Sequence, residues 1–385
     1  MELILSLSRV NVSQACSDKI SAICHHLDWA YVAYLADRHR VLPIFFSNIK
    51  KLGLGHLLPE IISKNMSLQH LRIIGGNLRF NKNLLLIIEL FERHKIPAVP
   101  FKGPLLAYEL YGTSDLRYYQ DLDILIPEKD VTSAWTILKS VGYHPRIRLA
   151  EAQIKIYAKF ENELDFIDHT GQVFIDLHWR LVPHSRYPYN FDFCKRRLKS
   201  VILNNKPVSA LSDEDMVLYL CIKGCRDVWD NLESLLCVAD YICLHPDLDW
   251  HLVIQLAGIL NCERMLFIGI FLAQDVFNVK FPFYVMEKMA ADRMIKPLVG
   301  FIYQNLFQPH HHKSEFEKNV FHLPYHFKLR SRRIDKFRFG FNRIFCPRKK
   351  DWIFFPVNSK LPFLYYLLRP MRQMIEFLSS KLNVS

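Results

Sequence analysis

The sequence has no long apolar run. The stretch from Met265 is halted at Gln274 and Asp275, well short of the roughly 20 residues a helix needs to cross a bilayer, so no membrane span is expected. Met1 to Ser8 has neither a basic start nor an extended apolar centre, which argues against a secretory signal and sets the expectation of a cytoplasmic protein. Cysteine is present but unorganised. There are nine, an odd number without a framework, so disulfide stapling is not expected. Cys221 and Cys225 stand four apart with no neighbouring His or Cys to complete a zinc set, and buried, reduced thiols are the simpler reading. There is no internal repeat and no low-complexity tract. The run His310 to His312 reads as a solvated loop.

What is present is a globular composition. The chain has 385 residues, 50% hydrophobic and 23% charged, enough for one large domain or two to three small ones. The net charge of +12 is concentrated, because Lys328 to Lys350 holds ten basic residues and a single acid, Asp335. Basic character therefore belongs to one late segment and not to the whole surface. There Phe327, Phe337, Phe339, Phe341 and Phe345 alternate with Arg and Lys. That mixture suits nucleic acid, a nucleotide, an acidic acceptor or an anionic membrane surface. An amphipathic helix with a solvated basic face is the commoner arrangement, and nucleic acid is a secondary reading.

From Ser17 to about Glu92 the spacing predicts helices, with Leu84 to Phe91 apolar on almost every side and Gly75-Gly76 as a break. The texture changes at Ile96. Pro97 stops the helix, and Ala98 to Phe101 is short, apolar and extended. Lys102-Gly103-Pro104 then turns into a new helix, with Gly103 as N-cap, Pro104 in the first position and Gly112 as C-cap. Asp121 to Ile126 alternates and then turns apolar, as a strand with a buried face does. Val131 to Val141 is a short amphipathic helix. Leu164 to Asp168 and Val173 to Trp179, joined through Thr170-Gly171, read as a β-hairpin.

After Pro183 the chain is mostly helical. Ser212 caps a helix with Asp213, Glu214 and Asp215 in its first turn. Leu232 to Leu244 is another helix, and Leu361 to Leu382 reads as two pieces broken at Pro370. The division is an N-terminal helical region at residues 1–92, an α/β core at 93–208 and a C-terminal helical region at 209–385 carrying the basic segment 328–350.

Side chains alternate across a strand, so Asp121 and Asp123 share a face and Leu122 and Ile124 take the other. In the second hairpin strand Asp176 and His178 share a face. If that strand lies beside the first, three carboxylates converge. At about 4 Å and an effective dielectric near 20, each like-charge pair costs about 4 kcal/mol, a penalty that a bound divalent cation removes. Hard cations take oxygen ligands and keep waters that phosphate replaces. The Lys102-Gly103 turn before a helix is an anion-binding arrangement, or a plain strand-to-helix turn. Arg117 is placed either to contact phosphate or to pair with the acids. His178 is placed to touch substrate, to orient Asp176, or to serve as a hydrogen-bonded structural residue.

The run Phe101-Lys102-Gly103, Leu106-Ala107, Leu110-Tyr111-Gly112, Arg117, Asp121 to Ile126, Leu138 and Gly142-Tyr143 resembles the uncharacterised nucleotidyltransferase family of bacteria, within the polymerase-beta-like superfamily. Val173 to Trp179 resembles that family's hydrophobic Asp-Leu-His-Trp strand. Leu211 to Asp215, Trp229, Leu232, Leu236, Asp240 and Asp249-Trp250 resemble its helical half, and Pro347, Asp351 and Arg369-Pro370 share its character. The resemblance spans roughly residues 40 to 375. Two positions depart from the pattern. Pro104 follows the turn glycine, where the superfamily usually has Ser or Gly, and Lys223-Gly224 stands where the family often has His-Gly.

The resemblance implies an α+β fold, a small mixed-sheet nucleotidyltransferase core flanked by helical regions. It implies Asp121 and Asp123 as shared ligands of two divalent ions, roughly 3.5–4 Å apart, and Asp176 as the third carboxylate, helping to activate an acceptor hydroxyl. Lys102, Gly103 and Arg117 are the expected phosphate-binding residues and His178 lies near the substrate. The implied reaction moves a nucleoside monophosphate from a nucleoside triphosphate, with Mg2+ or Mn2+ as cofactor, to an acceptor that is a small molecule, a peptide or a protein. The alternative is a catalytically degenerate module of the same fold that binds nucleotide or RNA.

Overall fold

The alternating segments around Asp123 and Asp176 form neighbouring strands at the centre of a mixed sheet. The computed structural model describes residues 1–10, 12, 27–183, 188–307, 320–355, 361 and 363–382. The histidine run at 310–312 and positions 17–26 of the expected helical stretch lie outside the described residues. Five strands, β1 (Val99–Pro100), β2 (Leu122–Leu125), β3 (Tyr143–Pro145), β4 (Glu163–Asp168) and β5 (Phe174–His178), lie in the order β1-β2-β5-β4-β3. β2 and β5 are parallel, and the other neighbours are antiparallel. The expected hairpin is β4–β5. The fold is the α+β class that the sequence implies, a mixed sheet with helices before and after it.

Before the sheet come α1 (Glu2–Leu7), α2 (Trp29–Arg38), α3 (Leu42–Lys51) and the 34-residue α4 (Glu60–Arg93). The break expected at Gly75-Gly76 does not occur, and α4 runs through it. Each glycine costs a helix about 1 kcal/mol, but the half beyond them is anchored by buried Phe80, Leu84, Ile87, Ile88 and Phe91. Asn77 adds a polar anchor. Its buried amide donates to the carbonyls of Ser114 (2.6 Å) and Arg117 (2.8 Å), which fixes the loop that leads to Asp121.

Between and after the strands lie α5 (Gly103–Tyr111), α6 (Val131–Ser140), α7 (Glu151–Phe160) and α8 (Phe191–Cys194). One sheet face, with Leu122, Ile124, Leu164, Phe166, Ile175 and Leu177, packs in a core with Trp135, Leu138 and Tyr157. A second hairpin, β6 (Lys199–Leu203) with β7 (Lys206–Ala210), adds Leu203, Val208 and Ala210 to that core. Its turn residues, Asn204 and Asn205, have φ of 49° and 63°, the left-handed values a two-residue hairpin turn needs and asparagine tolerates. The expectation of helix beyond Pro183 passed over this hairpin.

On the other sheet side Phe101 packs on Tyr219 of α9 (Asp213–Arg226), and α10 (Leu232–Leu244), α11 (Trp250–Ile259), α12 (Glu263–Phe277), α13 (Phe283–Ala291) and α14 (Ile295–Phe307) follow. Phe101 and Leu125 share a core with residues of α9 to α14. Gly224 of α9 makes room for Trp229. A Cβ there would lie 2.5 Å from the indole.

The chain then folds back. α15 (Leu323–Lys328), α16 (Arg333–Phe345), α17 (Lys349–Phe354) and α18 (Leu364–Leu382) bring Trp352 against Tyr157, with ring centres 5.4 Å apart. The break expected at Pro370 is also absent, because Pro370 sits inside α18. Its neighbours hold the helix together across it. Arg369 and Arg372 clamp the fully buried Asp351 at 3.0 and 2.5 Å, and Arg369 donates to the Arg343 carbonyl at 2.8 Å. Among the described residues the cysteines are free thiols, buried except Cys243, and no helix is long and apolar enough to cross a membrane.

Candidate active site

The parallel register of β2 and β5 places Asp123 opposite Asp176 and Leu125 opposite His178. On the far side of β5, the antiparallel register places Asp165 opposite Asp176 and Glu163 opposite His178. One sheet face therefore carries Asp123, Asp176, His178, Glu163 and Asp165, looking toward the C-terminal helices. Asp121, half-buried, stands just before β2. Phe101 backs the site, with its ring centre 5.0 Å from His178 and 5.2 Å from Tyr219 of α9.

The polar contacts centre on Asp123. One carboxylate oxygen, Oδ1, receives His178 Nε2 at 3.0 Å and the Lys102 ammonium. The other, Oδ2, is buried and has no hydrogen-bond partner among the described residues. His178 Nδ1 lies 3.3 Å from Glu163 Oε2. Asp165 is paired with Lys349 from the basic segment. Asp123, Asp176 and His178 each offer a ligand atom within 4.8 Å of the others, a spacing that a metal ion bridges. Asp121 is outside that group but is felt by it. Its charge helps to raise Asp176, and the charge of Asp123 raises Asp121.

These charges split the acids. Burial, then the Asp123 charge, pushes Asp176 up to about 8. Burial and Asp123 likewise raise Asp121. Asp123 is more deeply buried than either, yet the Lys102 ammonium and the hydrogen bond from His178 hold it well below the usual carboxylate range. Burial would lower His178, but Glu163 and Asp123 outweigh it and raise the imidazole. Burial would also lower Lys102, and Asp123 more than offsets this. The result is one firmly ionised carboxylate beside one that holds its proton near neutrality, the division of labour that acid–base chemistry needs.

The Lys102-Gly103 turn lies against the same edge. Helix α5 begins one residue earlier than its sequence suggests, with Lys102 as N-cap and Pro104 in the second position. Gly103 has φ of +53°, and a Cβ there would come within 3.0 Å of the Asp121 carbonyl. The close approach of the turn to β2 thus requires glycine. Arg117 is buried and its Nε donates to Glu233 of α10 at 2.6 Å. Its Nη1 lies 3.4 Å from the Gly103 carbonyl. The guanidinium ties the turn to the helical region, a pairing the sequence did not suggest.

Residues 25–278, more than half of the chain, match the family model described as uncharacterised nucleotidyltransferase. The chain belongs to that family. This nucleotidyltransferase has no match among curated proteins. Solved structures similar to it include a lincomycin-bound lincosamide antibiotic adenylyltransferase, LnuA, at 17% identity over 36% of this chain and 83% of that one, with a TM-score of 0.27. They also include ANT(2")-Ia in complex with adenylyl-2"-tobramycin, at 14% identity over 46% and 95%, with a TM-score of 0.33. A third is an antigenic nucleotidyltransferase-like protein from Paracoccidioides brasiliensis, at 13% identity over 44% and 75%, with a TM-score of 0.28.

The site of this nucleotidyltransferase contains more than its sequence pattern announced. Glu163 and Asp165 alternate with Leu164 and Phe166, so their shared face was readable, but the strand begins at Glu163 and not at Leu164. Lys349, Glu233 and Arg226 reach the site's surroundings from distant segments and carry no local signal. Lys223 bonds Asp227, the residue that follows α9, at 2.6 Å.

Proposed function

We propose that the protein transfers a nucleoside monophosphate from a nucleoside triphosphate to a hydroxyl-bearing acceptor, with Asp121, Asp123 and Asp176 surrounding a divalent cation, magnesium or manganese. The observation that carries the reading is the register that sets Asp123 beside Asp176 while leaving Asp123 Oδ2 buried and unpartnered among the described residues. Such an oxygen in a cluster of carboxylates fits a hard cation. When bound, the cation neutralises phosphate charge and orients the phosphates for in-line displacement.

The residues supply the rest. Burial and the Asp123 charge keep a proton on Asp176 in the metal-free protein; with a cation beside it Asp176 would be ionised and would accept the acceptor's hydroxyl proton. The acceptor oxygen then bonds the α-phosphorus as the bond to the β-phosphate breaks and pyrophosphate leaves. The Lys102 ammonium and the start of α5 face the phosphates, and Lys102 exchanges its contact with Asp123 for one with phosphate. His178 keeps Asp123 oriented. Retention of the acids speaks against a module that binds nucleotide without chemistry.

The test is transfer of label. Each of the four α-labelled triphosphates is incubated with the protein, magnesium or manganese, and a cell extract. Label is expected on an acceptor with the unmodified protein and not with Asp123→Asn. Absence of both transfer and nucleotide binding with all four would contradict the reading.

A further inference from the structure

Two adjoining cavities, of about 300 Å³ and about 990 Å³, share three lining arginines, Arg226, Arg343 and Arg348. The larger is also lined by Glu161 and Glu163, and Glu163 is the acid that faces His178. The arginine junction therefore opens onto the β4 side of the site. The Lys102-Gly103 turn leaves β1, on the other side, with β2 and β5 between.

Around the two cavities basic side chains outnumber acids, nine Arg and Lys against Asp335, Glu161, Glu163 and Glu376. Arg369 and Arg372 are engaged with Asp351, and Arg226 with Asp227 at 3.1 Å. Among the described residues Arg343 and Arg348 form no ion pair, and each is half-buried. Burial and the nearby Arg348 charge lower the Arg343 guanidinium, while Arg348 lies near the carboxyl of Glu161, which burial pushes up to about 7. Guanidinium groups present fixed forks of donors that match phosphate oxygens. The larger cavity has the size of a small-molecule site.

We propose that Arg226, Arg343 and Arg348 form a second anion site, and that it holds a phosphoryl group carried by the acceptor. The assignment rests on the nucleotidyltransferase reading above. With the triphosphate against the Lys102-Gly103 turn, the acceptor hydroxyl must reach Asp176 from the β4 side, where this cavity opens. The acceptor class is thus a phosphorylated small molecule or the phosphorylated end of a larger one.

The probe is inorganic phosphate, titrated into the full chain at constant ionic strength with EDTA present and followed by thermal shift. A saturable rise in the melting temperature is expected. It should weaken by about tenfold in apparent affinity in Arg343→Gln/Arg348→Gln, as loss of charge-assisted contacts implies. It should persist in Asp123→Asn, which loses the catalytic cation. Arg348→Gln alone serves if the double variant does not fold. A second arm measures binding of a non-hydrolysable ATP analogue with magnesium, which is expected to be unchanged in the arginine variants. Absence of a phosphate response, or an equal response in the variants, overturns the anion site. Loss of analogue binding together with phosphate binding overturns the assignment to the acceptor, because the arginines would then hold the triphosphate. Failure of Asp123→Asn alone to alter label transfer would count against the catalytic reading and leave the anion site standing.

Discussion

Asp123 and Asp176 stand opposite each other on adjacent parallel strands, and their protons are held very differently. Lys102 and His178 keep Asp123 ionised, while burial and the charge of Asp123 raise Asp176 to about 8. In a metal-free protein this arrangement penalises ionised Asp176. The folded value lies above the unfolded one, near 3.9, so the folded state binds this proton more tightly. Stability is therefore lost as pH rises from about 4 to about 8. Thermal melts in EDTA between pH 5 and 8.5 are expected to show this fall, and Asp176→Asn is expected to flatten it.

Lys102 carries a second prediction. Its ammonium balances the buried Asp123 carboxylate. In Lys102→Met that charge is left without its partner, an arrangement that costs several kcal/mol when buried. The metal-free variant is expected to melt at a markedly lower temperature. Manganese should recover more stability in it than in the unmodified protein, because the cation takes over the balancing charge. Nucleotide affinity should fall in the same variant, since the phosphates lose the ammonium. Calorimetric melts with and without manganese, and titration with ATP, check both parts.

Arg117 and Glu233 form a buried pair at 2.6 Å that joins the Lys102-Gly103 turn to α10. Glu233→Ala strands the guanidinium and is expected to destabilise the protein by about 3–5 kcal/mol. Arg117→Met/Glu233→Leu, which removes both charges, should lose much less. Urea unfolding of the two variants gives the comparison, and equal losses would mean that the pair is not the source of the effect.

Gly103 is constrained twice, by its φ of +53° and by the 3.0 Å approach a Cβ would make to the Asp121 carbonyl. Gly103→Ala is expected to cost about 1–2 kcal/mol through backbone conformation and crowding. It should also reduce nucleotide affinity by displacing the turn from β2. Urea unfolding and ATP titration measure the two effects.

Much of the site was legible in the sequence because it is local. Alternation put Asp123 on one face and Leu122 and Ile124 on the other, and the Thr170-Gly171 turn between two apolar runs announced the hairpin that carries Asp176. The Lys102-Gly103 turn before a helix was equally plain. Local signals failed where tertiary contacts decide. Gly75-Gly76 and Pro370 read as breaks, yet buried side chains on one and the Asp351 clamp on the other carry both helices through. Glu233, Lys349 and the arginine junction come from segments far along the chain, and no spacing rule links them to Asp123. The Asn204-Asn205 hairpin was readable from its turn chemistry.

The most direct measurement is manganese binding at pH 8, followed by electron paramagnetic resonance, in the unmodified protein, Asp123→Asn and Asp176→Asn, with circular dichroism confirming that all three fold. The account predicts saturable binding in the unmodified protein that tightens when ATP is added and is weakened by at least about tenfold in each variant, as loss of a charged ligand implies. Folded variants that bind manganese as tightly as the unmodified protein would contradict it.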